Sequence, residues 1–357
     1  MGYVVYYTMW GYVMSSKLKI GIIGSTPEGK ALAVFLGAKH YDVELVYNNK
    51  KHIQINNGVV IDVVGVFGTK SYLVPCVETP ADFNGKKDII FVMSRAYDAT
   101  ADTKSVLPYL SEDGVIVTKS NTLNFDEIAA IVDPAHWVGM FLEWSASKYE
   151  QHIAVDNDGN TIVGVFDEAA TKYLPAVQAI INNISPTFIT KNMDGFILSR
   201  NMLNIPISTL GAISGLRLGR ILDQPIGKKL FVKIIAECVA VCDKMNIKLY
   251  AYNNVLDYRR FVGSGLSCMM YRNTMLTRIR VQNSEIRSSL LISLEKNKKS
   301  EMEYLIGKIV KYAKDFDVQV PVNTRLYKML TDIENQVRGV YEDNLYDDKL
   351  KKALKQK

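Results

Sequence analysis

The chain has 357 residues, of which 48% are hydrophobic and 22% charged, and its formal net charge is +6. This length is too great for one ordinary core and indicates two domains, while the composition is that of a soluble globular protein. Basic residues cluster at Lys296–Lys299 and in the C-terminal KKALKQK. We interpret both clusters as solvated helix ends or tail, so neither nucleic acid nor a membrane is expected as a partner.

Residues 1–16, MGYVVYYTMWGYVMSS, form an uncharged aromatic stretch before the first predicted strand. The stretch has no basic segment and too few apolar residues to span a bilayer, so we interpret it as a disordered or non-native extension rather than a signal peptide. The four cysteines have no histidine at metal-ligand spacing. We therefore expect a reduced, cytoplasmic protein without structural disulfides and without a metal site.

The stretch Lys19–Gly37, KIGIIGSTPEGKALAVFLG, reads as a strand, a glycine turn and a helix. A Rossmann unit begins in this way, with the pyrophosphate of a dinucleotide at the helix N-terminus. Gly24 and Gly29 occupy the first and third glycine positions of G-x-G-x-x-G, but Thr26 occupies the second, where glycine lets the pyrophosphate approach the backbone. The pattern predicts a dinucleotide site, and a strand–helix turn that binds nothing is the alternative.

The residues after the second predicted strand, Val43–Tyr47, bear on the choice of cofactor. In Rossmann folds an acidic residue at this point binds the ribose hydroxyls of NAD, whereas a neutral or basic site tolerates the 2′-phosphate of NADP. The sequence here is Asn48, Asn49, Lys50 and Lys51, with no carboxylate. This favours NADP over NAD, and the alternative is an exposed turn with solvated lysines.

Further apolar runs predict the rest of an α/β domain. Two segments are expected to form a hairpin inserted in the sheet, and three more are expected to form single strands. Two last strands are expected to pair through the turn Asn157–Asn160. The hairpin segments are Val59–Gly65 and Ser71–Val74, the single strands Asp88–Met93, Gly114–Thr118 and Trp137–Leu142, and the last pair Ile153–Val155 and Thr161–Val165.

From about Asp194 onward, helical periodicity replaces the alternating strands. Helices are predicted at Phe196–Ile213, Lys228–Met245, Ser284–Glu295, Glu301–Asp315 and Thr324–Val337. The predicted architecture is a Rossmann-type domain over residues 17–192, an all-helical domain for substrate binding and dimerisation over 193–350, and a basic tail over 351–357.

The passage Ser288–Leu330 resembles the ketopantoate reductase (2-dehydropantoate 2-reductase) family. The family's Ser-Ser-Met, Thr-Glu-Ile-Asp-type and Val-Pro-x-Asn-Thr motifs correspond without a gap to Ser288–Leu290, Ser300–Glu303 and Val320–Thr324. The resemblance extends over most of the chain from Lys17. It implies a helical domain like the C-terminal domain of 6-phosphogluconate dehydrogenase, an NADP cofactor and a small 2-oxo acid as partner, and it leaves a homodimer open.

The resemblance also implies roles for individual residues. Arg200 stands where the family has its catalytic lysine, and Glu301 matches the active-site glutamate. Substrate binding is implied for Asn204, Ser208, Ser289 and Asn121, the last also contacting nicotinamide. Cofactor binding is implied for Gly24, Ser25, Thr26, Gly29, Asn48, Arg95 and Asn121.

The helix Phe196–Ile213 gives partly independent support for this site. Arg200, Asn204 and Ser208 follow at i, i+4 and i+8, so they share one face of an otherwise apolar helix and need polar partners or a ligand. A structural hydrogen-bond network is the alternative, and Glu301 also fits a helix N-terminus without a catalytic role.

The departures from the family pattern are chemically consistent with one another. Arginine cannot deprotonate near neutral pH, so Arg200 would stabilise negative charge or clamp a carboxylate and would be a poor proton donor. The sequence therefore predicts an NADP-preferring reductase of a small 2-oxo acid, with ketopantoate as the default substrate. The alternatives are a non-catalytic binding or regulatory protein on the same fold and an opine-type dehydrogenase.

Overall fold

The computed structural model describes residues 18–24, 26–47, 58–251, 255–296 and 298–356. The chain divides into two compact units, one made of residues up to Asn121 with Phe125–Met193, the other of Thr122–Asn124 with Asp194–Lys357. The expected extension over residues 1–16 lies outside the described residues, as do the candidate cofactor contacts Ser25 and Asn48. Within the described ranges, no helix is both long and apolar enough to cross a bilayer.

The first unit is an α/β domain in which the described residues form one eleven-stranded sheet. Its strands are β1 (Lys19–Ile23), β2 (Asp42–Val46), β3 (Gly58–Gly65), β4 (Lys70–Val77), β5 (Lys87–Val92), β6 (Leu110–Lys119), β7 (Trp137–Leu142), β8 (Ala146–Tyr149), β9 (His152–Val155), β10 (Thr161–Val165) and β11 (Thr187–Thr190). Its α-helices are α1 (Pro27–Gly37), α2 (Ala96–Val106), α3 (Phe125–Ala129) and α4 (Leu174–Ile181).

The strand order is β11-β10-β7-β6-β5-β1-β2-β4-β3-β9-β8. β1 is parallel to β2 on one side and to β5 on the other, so the chain reverses direction across the sheet at β1. Ligands of open α/β sheets bind beyond the carboxyl ends of the strands at such a switch point. The predicted hairpin in the sheet is confirmed, because β3 and β4 are antiparallel and β4 pairs in parallel with β2.

The expected pairing of Ile153–Val155 with Thr161–Val165 is wrong. β9 instead pairs with β3 and β8, whereas β10 pairs with β7 and β11, so the two strands lie in different parts of the sheet. Asn157 does not close a tight turn. Its side chain accepts a hydrogen bond from the Ser145 N–H and donates one to the Glu143 carbonyl oxygen, which holds the connection against the segment after β7.

Helix α1 is the centre of the larger apolar core. All residues from Ala31 to Gly37 are buried, and the helix packs against β2, β3, β4, β8 and β9. The Phe67 ring lies edge-on to the rings of Phe35 and Trp144, with centroid distances of 6.3 and 5.5 Å. These five strands are neighbours in the sheet and enclose α1, so the position of the helix is fixed on several sides.

The second unit contains helices and no β-strand among its described residues, as predicted. Its α-helices are α5 (Met193–Ser214), α6 (Leu218–Asp223), α7 (Pro225–Lys244), α8 (Tyr258–Val262), α9 (Leu266–Asn283), α10 (Ser289–Glu295), α11 (Ile306–Asp315), α12 (Pro321–Glu334) and α13 (Asp348–Leu354). Helix α7 contacts α6, α8, α11, α12 and α13, so it forms the centre of this unit.

Two predicted helices begin later than expected. The helix expected from Ser284 begins at Ser289, because the carbonyl oxygens of Ser284 and Ile286 accept hydrogen bonds from the first residues of α6. The helix expected from Glu301 begins at Ile306, because Leu305 has φ −120° and ψ −95°, outside the helical region. Residues 351–354 of the expected basic tail are part of α13, in which Leu350 and Ala353 are buried.

Two carboxylates tie the helices of this unit together. Glu237 of α7 is 3% exposed and accepts hydrogen bonds from the backbone N–H groups of Val322 and Asn323 at the start of α12, at 3.1 and 2.9 Å. Asp347 at the start of α13 binds Arg325 of α12 through two hydrogen bonds of 3.0 and 2.7 Å. Burial raises the pKa of Glu237, whereas the guanidinium of Arg325 lowers the pKa of Asp347.

Candidate functional site

The turn between β1 and α1 requires both of its glycines. Gly24 has φ +106°, and a Cβ atom there would lie 2.5 Å from the carbonyl carbon of Met93, at the end of β5. A Cβ atom on Gly29 would lie 2.8 Å from the carbonyl oxygen of Gly24. The turn thus has the close approach of helix and strand that the first and third glycines of a dinucleotide-binding turn provide.

Thr26 is the N-cap of α1, and its side chain is 6% exposed. Its hydroxyl donates a hydrogen bond to the Met93 carbonyl oxygen at 2.6 Å and accepts one from the Gly29 N–H at 3.2 Å. The branched side chain at the second glycine position is therefore directed into the protein, where it joins α1 to β5. This rotamer therefore does not produce the steric conflict with a pyrophosphate that the sequence suggests.

The N-terminus of α1 nevertheless offers few backbone donors for an anion. Pro27 has no N–H, and the N–H of Gly29 is bonded to Thr26. The carboxylate of Glu28 also lies in this first turn, with Lys119 at the end of β6 at 3.9 Å from its Oε2 atom. The glycine geometry fits a dinucleotide, but its phosphates would depend on fewer main-chain hydrogen bonds than a glycine-rich turn provides.

Arg95 lies beyond the end of β5, where the resemblance implies a cofactor contact. It is exposed and is the N-cap residue of α2 through its backbone. The hydroxyl of the preceding residue, Ser94, donates a hydrogen bond to Asp102, and burial raises the pKa of that carboxyl group. Arg95 is thus held by its backbone at the switch-point end of the sheet, at the start of α2.

Asn121 follows β6 and binds the end of β7 through its side-chain amide. Its Nδ2 atom donates to the Leu142 carbonyl oxygen at 2.7 Å, and its Oδ1 atom accepts from the Leu142 N–H at 3.1 Å. These two side-chain bonds join β7 to the chain two residues beyond Lys119, the last residue of β6 that pairs with β7. Asn121 therefore positions the strand end, and any contact to a ligand would use the remaining hydrogen-bonding capacity of its amide.

A chain of hydrogen bonds runs along one face of α5. Asn201 donates to the Ile197 carbonyl oxygen at 2.9 Å and accepts from Asn204 at 3.3 Å, and Asn204 in turn accepts from Ser208 at 2.9 Å. The sequence prediction included Asn204 and Ser208 but missed Asn201, which is 1% exposed. Its spacing of three residues before Asn204 on an apolar helix was the available signal.

Arg200 and Asn204 line the same pocket in the helical unit, with a volume of about 260 Å³. The Arg200 guanidinium carbon also lies 5.1 Å from the centre of the Phe196 ring. Three further polar residues, Arg278, Gln282 and Asn283 of α9, line the pocket beside seven apolar residues. The apolar residues are Leu203, Ile207, Val255, Leu256, Met275, Ile279 and Ile286.

The remaining candidate residues do not line this pocket. Ser208 is 1% exposed, and its carbonyl oxygen accepts a hydrogen bond from the Ser288 hydroxyl at 2.7 Å. Ser289 is exposed in the first turn of α10. Glu301 is half-buried just before the 3₁₀ turn Met302–Tyr304, and its carbonyl oxygen accepts from the Tyr304 N–H at 3.0 Å.

Comparison with known proteins identifies the family of this chain independently of the geometry of the site. The ketopantoate reductase PanE/ApbA family matches residues 20–168, and the C-terminal domain of the same family matches residues 192–334. The chain belongs to the ketopantoate reductase family. The resemblance found in the sequence is thereby confirmed, as is the fold class of a Rossmann-type domain followed by a helical domain.

Individual members of the ketopantoate reductase family are distant from this chain. The 2-dehydropantoate 2-reductase of Archaeoglobus fulgidus is 23% identical over 320 residues, which cover 89% of this chain and 98% of the relative. A ketopantoate reductase structure from Ralstonia eutropha has a TM-score of 0.71 at 18% identity and covers 89% of this chain and 99% of that chain. This chain is therefore a divergent family member.

The same fold also occurs in a dehydrogenase that is named for a different substrate. A ternary structure of D-mandelate dehydrogenase with NADH and anilino(oxo)acetate has a TM-score of 0.73 at 13% identity, covering 90% of this chain and 99% of that chain. Proteins that share this fold thus differ in substrate. Membership of the ketopantoate reductase family leaves the substrate of this chain to be argued from its own residues.

Proposed function

We propose that this protein is an NADP-preferring reductase that transfers hydride to the carbonyl of a small 2-oxo acid, with ketopantoate as the first candidate. The pocket lined by Arg200 and Asn204 carries the proposal, because it combines a fixed cation and an amide with apolar walls. Pockets with a few convergent polar groups on apolar walls are typical of small-molecule sites. The relatives named 2-dehydropantoate 2-reductase support the same reaction class.

Arg200 would bind the acid group of the substrate and stabilise charge at the reacting carbonyl. Its planar guanidinium can hold a carboxylate by two parallel hydrogen bonds, and it attracts the negative charge that develops on the carbonyl oxygen. It stays protonated at neutral pH, so the proton that completes the alcohol must come from water or another group. Asn204 would donate its amide to the substrate, oriented by its bonds to Asn201 and Ser208.

The residues around the β1–α1 turn would hold the dinucleotide, whose reduced nicotinamide supplies the hydride. The close packing at Gly24 and Gly29 supports this assignment. We assign further cofactor contacts to Thr26, through its backbone, and to Arg95 and Asn121. Ser25 and Asn48 stay in the proposed set on the sequence alone. We also retain Ser208, Ser289 and Glu301 as proposed site residues, although these three residues do not line the pocket.

A non-catalytic binding protein on the same fold is the second candidate. The N-terminus of α1 favours it, because Pro27 lacks an N–H and Glu28 places a carboxylate in the first turn. A protein that no longer turns over substrate needs no tight pyrophosphate site. The two candidates differ in whether the chain binds a reduced nicotinamide cofactor and oxidises it with a 2-oxo acid.

Cofactor titration and a substrate screen test the proposal. We expect the protein to bind NADPH more tightly than NADH and to oxidise NADPH with ketopantoate or another small 2-oxo acid. Failure to bind either cofactor, or binding without oxidation across the 2-oxo acids, would favour the non-catalytic candidate. Inclusion of amines in the screen distinguishes an opine-type dehydrogenase, whose turnover requires them.

Substitution of Arg200 tests its role in the pocket. In Arg200→Met we expect kcat/KM to fall about 100-fold, since a charged hydrogen-bond pair contributes about 1.5–3 kcal/mol, while the NADPH affinity is unchanged. Arg220→Met is the matched control, because Arg220 is exposed and does not line the pocket. Arg200→Lys should retain part of the activity and add an alkaline limb to the pH profile. Equal activity of the two methionine variants would exclude Arg200 from the reaction.

We also propose that the protein acts in the cytoplasm, as its four free cysteines suit a reducing compartment. A homodimer stays a prediction as well. Exposed apolar side chains on α9, namely Leu266, Met269 and Met270, would suit such an interface.

A further inference from the structure

A half-buried lysine lies beside the end of β2. Lys30, in the first part of α1, places its ammonium group 4.9 Å from the centre of the Tyr47 ring. Tyr47 directly follows β2, and its N–H bonds to the Val77 carbonyl oxygen at 2.9 Å, which fixes the tyrosine at the sheet end. The cation is therefore held at a defined place by an aromatic face rather than by a carboxylate.

Lys148 adds a second positive charge near Lys30. It lies on β8, which packs against α1, and burial of Lys30 together with the charge of Lys148 lowers the pKa of Lys30. Among the residues that the structure describes, neither lysine forms an ion pair with a carboxylate. Two like charges near each other, one of them partly desolvated, carry an electrostatic cost that a bound anion would offset.

The location of these charges indicates which anion they receive. The end of β2 is where the adenosine ribose of a dinucleotide lies in a Rossmann fold, and the groups there discriminate between a free 2′-hydroxyl and a 2′-phosphate. Lys30 belongs to the helix whose N-terminus faces the switch point, one turn after the N-cap Thr26. A phosphate monoester carries close to two negative charges at neutral pH, which matches two ammonium groups.

We propose that Lys30 and Lys148, with Tyr47 as a fixed support, bind the 2′-phosphate of NADPH and so give the protein its preference for NADP. The proposal rests on the proposed reductase function and names the residues behind one part of it. The lysines come from α1 and β8, far apart in sequence, and neither belongs to the segment after β2 from which sequence reasoning predicts cofactor choice.

Binding measurements with defined probes test this assignment without any turnover. We would measure dissociation constants for NADPH, NADH, 2′,5′-ADP and 5′-AMP by calorimetry, for the original chain and for Lys30→Met and Lys148→Met. Lys30→Met should weaken NADPH and 2′,5′-ADP by about tenfold or more, because a hydrogen bond to a charged group is lost, and leave NADH and 5′-AMP within twofold. Lys148→Met should weaken the same two ligands to a smaller extent, since Lys148 is more exposed.

Two control variants separate charge from fold. Lys30→Arg keeps the charge and should retain most of the preference for NADPH. Lys39→Met removes an exposed lysine just after α1 and should change none of the four affinities. Thermal unfolding of each variant checks the fold, and Lys30→Met should be at least as stable as the original chain because it removes a partly desolvated charge.

The outcomes distinguish this assignment from the proposed function. If the double variant Lys30→Met/Lys148→Met kept the original ratio of NADPH to NADH affinity, the lysines would not select the cofactor, although the reductase proposal would stand. Equal binding of NADPH and NADH by the original chain would overturn the assignment and the NADP preference in the proposed function, although a nicotinamide-dependent reductase of 2-oxo acids would still stand. Binding of neither cofactor would overturn both.

Discussion

Replacement of Thr26 by alanine should destabilise the α/β unit, because the threonine hydroxyl joins α1 to β5. The hydroxyl accepts from the Gly29 N–H and donates to the Met93 carbonyl oxygen, and both bonds are buried. Alanine fits the space, but the Gly29 N–H and the Met93 carbonyl oxygen then lose their hydrogen bonds to the Thr26 hydroxyl. The side chain is 6% exposed, so water cannot readily replace the lost hydroxyl.

The size of the effect follows from these two bonds. Loss of an N-cap hydroxyl costs about 1 kcal/mol, and loss of a buried hydrogen bond costs about 1 kcal/mol more. The expected total of about 2 kcal/mol corresponds to a urea midpoint lower by about 1 M, at a slope near 2 kcal/mol per M. Thr26→Ser keeps the hydroxyl and should lose less than about 1 kcal/mol.

Tryptophan fluorescence is a suitable assay, because it reports on the correct unit. Trp137 and Trp144 are both buried in the α/β unit, at 1% and 4% exposure, and the helical unit has no tryptophan among its described residues. The third tryptophan of the chain, Trp10, lies outside the described residues. Fluorescence-detected urea unfolding therefore follows two buried tryptophans in the unit in which Thr26 lies.

One result would refute this assignment of Thr26. Thr26→Gly restores the glycine pattern of the dinucleotide turn but removes the same hydroxyl, so it too should lower the urea midpoint. If Thr26→Ala and Thr26→Gly unfolded like the original chain, and Thr26→Gly bound NADPH tenfold more tightly, the side chain would be an obstacle to the cofactor rather than a cap.

Two further predictions concern the carboxylates of the helical unit. Asp347→Asn should lower the free energy of unfolding by about 2 kcal/mol at pH 7, because Arg325 loses a charged partner. This difference from the original chain should shrink below about pH 4, because the stability that comes from the lowered pKa of Asp347 is lost as the pH falls through that pKa. A constant difference in thermal unfolding from pH 7 to pH 3 would contradict this. Glu237 has a raised pKa, so its contribution to stability is lost as pH rises from about 4.3 toward neutrality, and Glu237→Gln should flatten that slope in urea unfolding. An unchanged slope would mean that the folded carboxyl group titrates like an unfolded one.

The parallel strands and the main helices could be predicted from local patterns, whereas three details could not. The short apolar runs that form β1, β5 and β6 are buried on both faces, so each run identifies its own strand. The partner of β9 depends on β3, far away in the chain, and on side-chain bonds of Asn157. The start of α10 depends on hydrogen bonds to α6, and the start of α11 depends on the backbone conformation of Leu305. Neither feature can be read from the local sequence pattern.

The candidate site was predictable where it follows helical spacing. Asn204 and Ser208 were identified because they repeat on one face of α5, and the same spacing could have revealed Asn201. The rotamer of Thr26 was not predictable, because its hydrogen-bond partner Met93 directly follows β5, 67 residues further along the chain. The cluster of Lys30 and Lys148 also depends on tertiary packing, since the two residues come together only when β8 packs on α1.

The position of β9 has a consequence for the order in which the chain folds. β3 pairs in parallel with β9, with Val63 opposite Ile153, so one edge of β3 has no partner until the ribosome has made most of the α/β unit. An exposed strand edge of this kind can pair with another chain, and non-local parallel pairing is slow. The edge of β3 can therefore be covered, and α1 enclosed on this side, only after Val155 has been synthesised.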